Sequence, residues 1–128
     1  MLIESVEYDD RRAVSNVLEE SVFRYCEFSK FSYEGGHIDA VFLSCTFRDI
    51  EWYWGLFNAC VFVGTRFVGC TFRGTSFPDC RFVECEFVEC RFVADNLARE
   101  CSAEGARVYG SSATSCTGAE FLFGDGAP

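Results

Sequence analysis

From Ala40 onward the chain can be written in fives, and the third residue of each five is a large apolar one, nearly always a ring. AVFLS CTFRD IEWYW GLFNA CVFVG TRFVG CTFRG TSFPD CRFVE CEFVE CRFVA DNLAR puts Phe42, Phe47, Trp52, Phe57, Phe62, Phe67, Phe72, Phe77, Phe82, Phe87, Phe92 and Leu97 at that place. Every Phe in this stretch shares one phase, a coincidence of ~5⁻⁹, on the order of one in a million. The first residue of each five is mostly small. Neither a helix nor a straight strand accommodates this spacing: a helix smears the rings around its whole surface, and a strand sends them alternately to both faces.

An upstream block repeats the pattern one residue out of phase, with centres Leu18, Phe23, Phe28, Tyr33 and Ile38. The step from Ile38 to Phe42 is therefore one residue short. Beyond Leu97 the pattern weakens, and Cys101, Ala106, Ser111 and Cys116 keep only the spacing of small residues, offset by one. A five-residue unit makes sense if its first and third residues point inward along a short strand and the other two turn a corner. Four corners return the chain to its start after about 20 residues, and successive coils stack about 4.8 Å apart like strands of a parallel sheet.

The tandem C/A/S/T-x-F/L-x-x units resemble the pentapeptide-repeat family, over residues 16–97 closely and 98–118 loosely. The resemblance implies an all-β fold, a right-handed quadrilateral parallel β-helix of about five coils. It divides the chain into 1–17, a short cap helix or an irregular first coil; 18–118, the β-helix, regular over 18–97 and irregular over 98–118; and 119–128, a C-terminal tail or cap. Asp9 or Asp10 would N-cap the helix.

The square makes a demand: residues four repeats apart stack. The columns of centres are Phe23, Phe42, Phe62, Phe82; then Phe28, Phe47, Phe67, Phe87; then Tyr33, Trp52, Phe72, Phe92; then Ile38, Phe57, Phe77, Leu97. These centres, with the small fillers Cys26, Cys45, Cys60, Cys70, Cys80, Cys85 and Cys90, are the expected core. Cys101 is expected to extend the column of Ser21, Ala40, Cys60 and Cys80. Phe31 and Ile50 are large for the small position and Asp95 is charged there, so bulging is expected near Phe31–Ile38 and a widened corner at Asp95–Arg99.

Chemistry has little to draw on. There is 1 His among 128 residues, and no phosphate-cradling glycine motif. Cysteines five apart enter from different walls, so no metal site, catalytic residue or cofactor is expected. The 20 acids against 11 bases give a net charge of −9, which argues against direct nucleic-acid binding. The sequence shows neither a signal peptide nor an apolar run long enough for a bilayer, so a cytoplasmic protein with free thiols is expected.

The outward positions carry Val22, Val41, Val61, Val63, Val68, Val83, Val88 and Val93, together with Tyr53 and Trp54. Strand propensity accounts for valine as readily as an interaction patch does. Tyr53, Trp54, Phe121, Leu122 and Phe123 are the candidate interface residues. The expected function is a non-catalytic protein–protein interaction scaffold with an unknown protein partner. The resemblance implies two further readings: a homodimer through the C-terminal end, and a DNA mimic that binds DNA gyrase or topoisomerase and modulates quinolone sensitivity.

Overall fold

A computed structural model describes residues 1–15 and 17–124. The fives are three extended residues followed by a corner. The corner residue is left-handed in nearly every unit, for example Ser44 (φ 52°), Asp49 (54°), Trp54 (58°), Ala59 (54°), Gly64 (59°) and Gly69 (65°). This sharp turn redirects the chain after one short strand. The corner N–H then bonds along the stack, as from Gly64 to Val83 O at 2.8 Å and from Gly69 to Val88 O at 2.9 Å.

Four parallel walls result. Wall 1 stacks Leu2–Glu4, Glu19–Arg24, His37–Leu43, Val61–Val63, Arg81–Val83 and Arg107–Tyr109. Wall 2 stacks Glu7–Tyr8, Glu27–Ser29, Thr46–Arg48, Arg66–Val68, Glu86–Val88 and Ser112–Thr114. Wall 3 stacks Ser32–Glu34, Glu51–Tyr53, Thr71–Arg73 and Arg91–Val93. Wall 4 is the least regular: His37 and Ile38 pair with Leu56 and Phe57, and single bridges continue from Leu56 to Ser76 and from Ser76 to Ser102. This is a nearly all-β solenoid of about five turns.

The rings fill the interior in two geometries. Along the stack they lie face to face: Phe42–Phe62 at 5.1 Å, Phe62–Phe82 at 4.9 Å, Phe47–Phe67 at 5.0 Å and Phe67–Phe87 at 4.5 Å, all within 7° of parallel. Around each coil they meet edge to face: Phe62–Phe67 at 64°, Phe67–Phe72 at 63°, Phe72–Phe77 at 65°. Both arrangements suit the ring quadrupole, at about 0.5–1.5 kcal/mol per pair beyond burial. Ring separations of about 5 Å match the ~4.8 Å strand spacing, so hydrogen-bond ladder and ring ladder hold the same register.

The small residues are more than filler. Cys85 donates its S–H to Phe62 O at 3.3 Å and Cys90 to Phe67 O at 3.2 Å, while Thr65 donates its hydroxyl to Phe42 O at 3.1 Å. Each stitches a coil to the carbonyl of the ring residue beneath.

The short step at Ile38–Phe42 removes a corner. His37–Leu43 runs straight, with Ile38, Ala40 and Phe42 all inward. The compensating bulge falls on the coil below, between Glu19 and Val22, and not at Phe31–Ile38. There Glu20 turns left-handed (φ 55°) and gives its N–H to Asp39 Oδ1 at 2.7 Å. The carboxylate replaces the carbonyl that a regular corner would offer.

Residues 1–15 contribute strands to walls 1 and 2, then a single helical turn, α1 (Arg11–Val14), N-capped by Asp10. Tyr8 stacks on Phe28 at 5.1 Å and Val14 is buried. At the other end the centres shrink: Val108 pairs over Phe82 and Ala113 over Phe87. The space above the last full rings is taken by α2 (Glu120–Phe123), whose Phe121 lies 5.1 Å from Phe92 and whose Phe123 lies 5.8 Å from Phe87. Gly118 permits this closure, because a Cβ there would sit 2.2 Å from Phe92 O.

Two assignments need correction. Leu97 is not core: it is 67% exposed. The chain leaves the coil after Ala94 and turns back on itself between Asp95 and Arg99, which carries Leu97 outward. Nor does Cys101 extend the Cys80 column. Its S–H bonds to Phe72 O at 3.2 Å, the contact that Thr75 makes to Trp52 O one coil below. The stacking step is 20 residues from Cys45 to Thr65 but 26 from Cys85 to Ser111. A shift of one in phase is thus an insertion of one unit plus one residue.

Phe67→Ala should lower the unfolding free energy by about 3–5 kcal/mol, since a central ring leaves a void with neighbours above, below and on both sides. Val68→Ala, one residue on but outward, should cost under about 1 kcal/mol. Urea unfolding of both variants checks this; equal losses would contradict the interior assignment.

Candidate interaction surface

With the interior sealed, function falls to the outer positions of the walls. Wall 1 differs from the others. From its second strand upward its outward side chains are Val22 and Arg24, Val41 and Leu43, Val61 and Val63, Arg81 and Val83, Arg107 and Tyr109. No carboxylate stands among them. Leu2 and Glu4 lie below, and Arg24 Nε donates to Glu4 Oε2 at 2.8 Å. Wall 2 carries Glu27, Arg48, Arg66 and Glu86 at the corresponding positions, cross-linked by Arg48–Glu27 and Arg66–Glu86 contacts of 3.7 Å each. On wall 3, Arg73 meets Glu51 at 3.5 Å. Strand propensity acts on all walls alike, so it does not explain why the aliphatic residues collect on one.

Wall 4 is acidic. Glu19, Asp39 and Glu104 are its outward acids, with His37 3.6 Å from Glu19. Asp79 stands at the corner it shares with wall 1.

Tyr53 and Trp54 do meet, edge to face at 4.3 Å, and the Arg73 guanidinium lies 6.0 Å from the Tyr53 ring. Both are half-buried. Trp54 also serves the fold itself, because its indole N–H donates to Asp95 Oδ2 at 2.7 Å. The same carboxylate accepts from Leu97 N at 2.8 Å, Arg99 N at 2.9 Å and Arg99 Nε at 3.1 Å. Asp95 therefore organises the insertion and ties it to the Trp54 corner two coils below. Gly74 gives it room, since a Cβ there would lie 2.9 Å from Asp95 Cβ. Burial raises the Asp95 carboxyl, but the N–H groups of Arg99 and Leu97, the Trp54 indole and the Arg99 charge together outweigh it and hold the group below the usual carboxylate range. Phe121, Leu122 and Phe123 pack on the terminal rings of their own chain and are half-buried.

Among the described residues, no three His, Cys, Asp or Glu side chains come together as a metal-binding group. All nine cysteines are free. Burial pushes the Cys45 thiol up to about 11, and Cys85 is raised by burial as well. The neighbouring Cys60 thiol and burial raise Cys80, and the Cys70 thiol with burial does the same to Cys90. Cys101 and Cys116 are only half-buried, though burial raises these too. No helix among the described residues is long and apolar enough to cross a membrane.

Residues 57–92 match the family model for pentapeptide repeats in 8 copies. No curated protein matches the sequence. Among solved structures, two trypsin-treated variants of QnrB1, a plasmid-mediated fluoroquinolone resistance protein, align over 91% of this chain and 69% of theirs. Their identities are 15% and 11% and their TM-scores 0.37 and 0.26, too low to carry an argument.

Two outcomes are expected. A thiol reagent on native protein at pH 8 should modify Cys101 and Cys116 first, and the seven buried thiols only after denaturation; rapid native reaction of Cys85 or Cys90 would contradict their burial. Because the folded Asp95 carboxyl is lowered, its contribution is complete above the unfolded value near ~3.9 and is lost as pH falls through the folded value. Asp95→Asn should therefore be less stable than the parent at pH 7, and the gap should narrow toward pH 3 in thermal unfolding; a gap that widens contradicts the assignment.

The eight matched copies, residues 57–92, coincide with the most regular coils of the four-walled solenoid.

Proposed function

We propose that this protein is a non-catalytic, cytoplasmic scaffold that presents a flat wall to a protein partner. The supporting observation is the segregation of aliphatic side chains on wall 1, where Val41, Leu43, Val61, Val63 and Val83 form adjoining columns. A rigid β surface binds with little conformational change and little entropic cost. Nothing in this reading requires a bound group or a reacting side chain. A homodimer through the C-terminal end is part of it, since pairing there would bury the exposed faces of Phe121, Leu122 and Phe123.

The acids of wall 4 favour a second reading, a DNA mimic acting on gyrase or topoisomerase. Against it, arginines pair with Glu27 and Glu86 on wall 2 and with Glu51 on wall 3.

Leu43→Glu with Val63→Glu copies a residue type that wall 2 already carries outward, so the fold should survive. Affinity capture from native lysate should recover partners with the parent and lose them with this double variant, while Tyr53→Ser with Trp54→Ser keeps them. An identical captured set for all three would refute the wall 1 reading. A gyrase supercoiling assay with and without quinolone should show no effect at micromolar protein; inhibition or protection would favour the second reading. Light scattering should return twice the chain mass, falling to the monomer mass when Phe121 and Phe123 are replaced by Ser.

A further inference from the structure

Wall 1 combines its aliphatic columns with cations that have no carboxylate to answer them. Arg81 and Arg107 are directly paired across neighbouring strands, and both are exposed. Like charges set opposite one another on a sheet repel. Among the described residues neither has a carboxylate oxygen within 4.0 Å, whereas Arg24, Arg48, Arg66, Arg73 and Arg99 each do. The nearest acids in the chain's path stand at the corners, Asp79 on one side and Glu84 on the other, and their side chains lie over the next corners, Gly105 and Gly110. In a chain of net charge −9, an acid-free strip ending in two adjacent unpaired guanidinium groups is a marked departure.

The face is also narrow. Six strands at the parallel spacing give ~25 Å of height, and three extended residues give ~10 Å of width. About 250 Å² is well below the roughly 800 Å² per partner of a stable interface between globular proteins. It does suit one extended segment of about seven or eight residues laid along the columns.

Resting on the scaffold reading above, we propose that wall 1 binds an extended acidic peptide segment of a partner protein. Its aliphatic or aromatic side chains lie on Val41, Leu43, Val61 and Val63, and its Asp or Glu residues meet Arg81 and Arg107. Area decides against a second copy set wall to wall, which would bury only about 250 Å² on each side. An anionic bilayer must overcome the net negative charge of the whole chain.

The test selects a random twelve-residue peptide display library on the intact protein at low salt. Recovered peptides should combine Asp or Glu with Val, Leu, Ile or Tyr. Their affinity should fall about tenfold or more for Arg81→Glu with Arg107→Glu and fall again in 0.5 M salt, but hold for Arg91→Glu on wall 3. Peptides lost with Leu43→Glu plus Val63→Glu but indifferent to the arginine pair would overturn the acidic occupant and leave the scaffold reading standing. Peptides indifferent to both double variants, or no recovered peptides, would overturn the wall 1 site. So would binding to vesicles of phosphatidylcholine with phosphatidylserine that the arginine pair abolishes, or self-association that the arginine substitutions strengthen.

Discussion

Stacked aromatic rings set the register of this molecule. Rings repeat along the stack at 4.5–5.2 Å in its two best columns, close to the spacing that backbone hydrogen bonds impose on parallel strands. A coil displaced by one residue would lose both ladders together. Phe suits this interior because it fills the section of the tube and brings no polar atom that needs a partner. Trp52 illustrates the alternative, since its indole nitrogen is buried with no hydrogen-bond partner. It occupies the place of a Phe and leaves a donor unanswered.

This interior constrains function by exclusion. The inward positions are spent on rings and small residues, and the thiols there serve as donors to carbonyls of the coil below. Polar chemistry is left to the corners and walls. Three walls dispose of it in ordinary ways, by ion pairs on walls 2 and 3 and by solvated acids on wall 4. Wall 1 alone joins adjoining aliphatic columns to two directly paired arginines that have no carboxylate partner among the described residues, which is why the functional reading rests on it. Trp54 shows how an exposed-looking aromatic can be misleading: its ring faces outward from the coil, yet its N–H holds Asp95 and through it the whole insertion.

The regular coils are legible because a single period ties sequence to geometry: Phe62, Phe67, Phe72 and Phe77 enter from four successive walls. The left-handed corners are also written in the sequence, in Gly64, Gly69 and Gly74 at the fifth position, although Ser44, Asp49 and Glu89 hide the signal by adopting the same backbone. Where chain length and phase are ambiguous, sequence reasoning fails. An offset of one residue and an insertion of six leave the same phase, so periodicity alone sends Cys101 to the wrong column and Leu97 to the core. Asp95 is recognisable as a misfit, but its four donors come from residues 54, 97 and 99, which no local pattern brings together. The special character of wall 1 emerges only when every fourth unit is read as one column. Along the chain, Val61 and Val63 look no different from Val68 or Val88.

Nuclear Overhauser contacts between Phe rings, recorded on protein labelled only at Phe, test the central claim most directly. The stacked-ring account predicts cross-peaks between ring protons 20 residues apart, Phe47 with Phe67 and Phe67 with Phe87, alongside those 5 apart such as Phe62 with Phe67. Contacts confined to sequence neighbours, or rings that give solvent-like shifts, would contradict it.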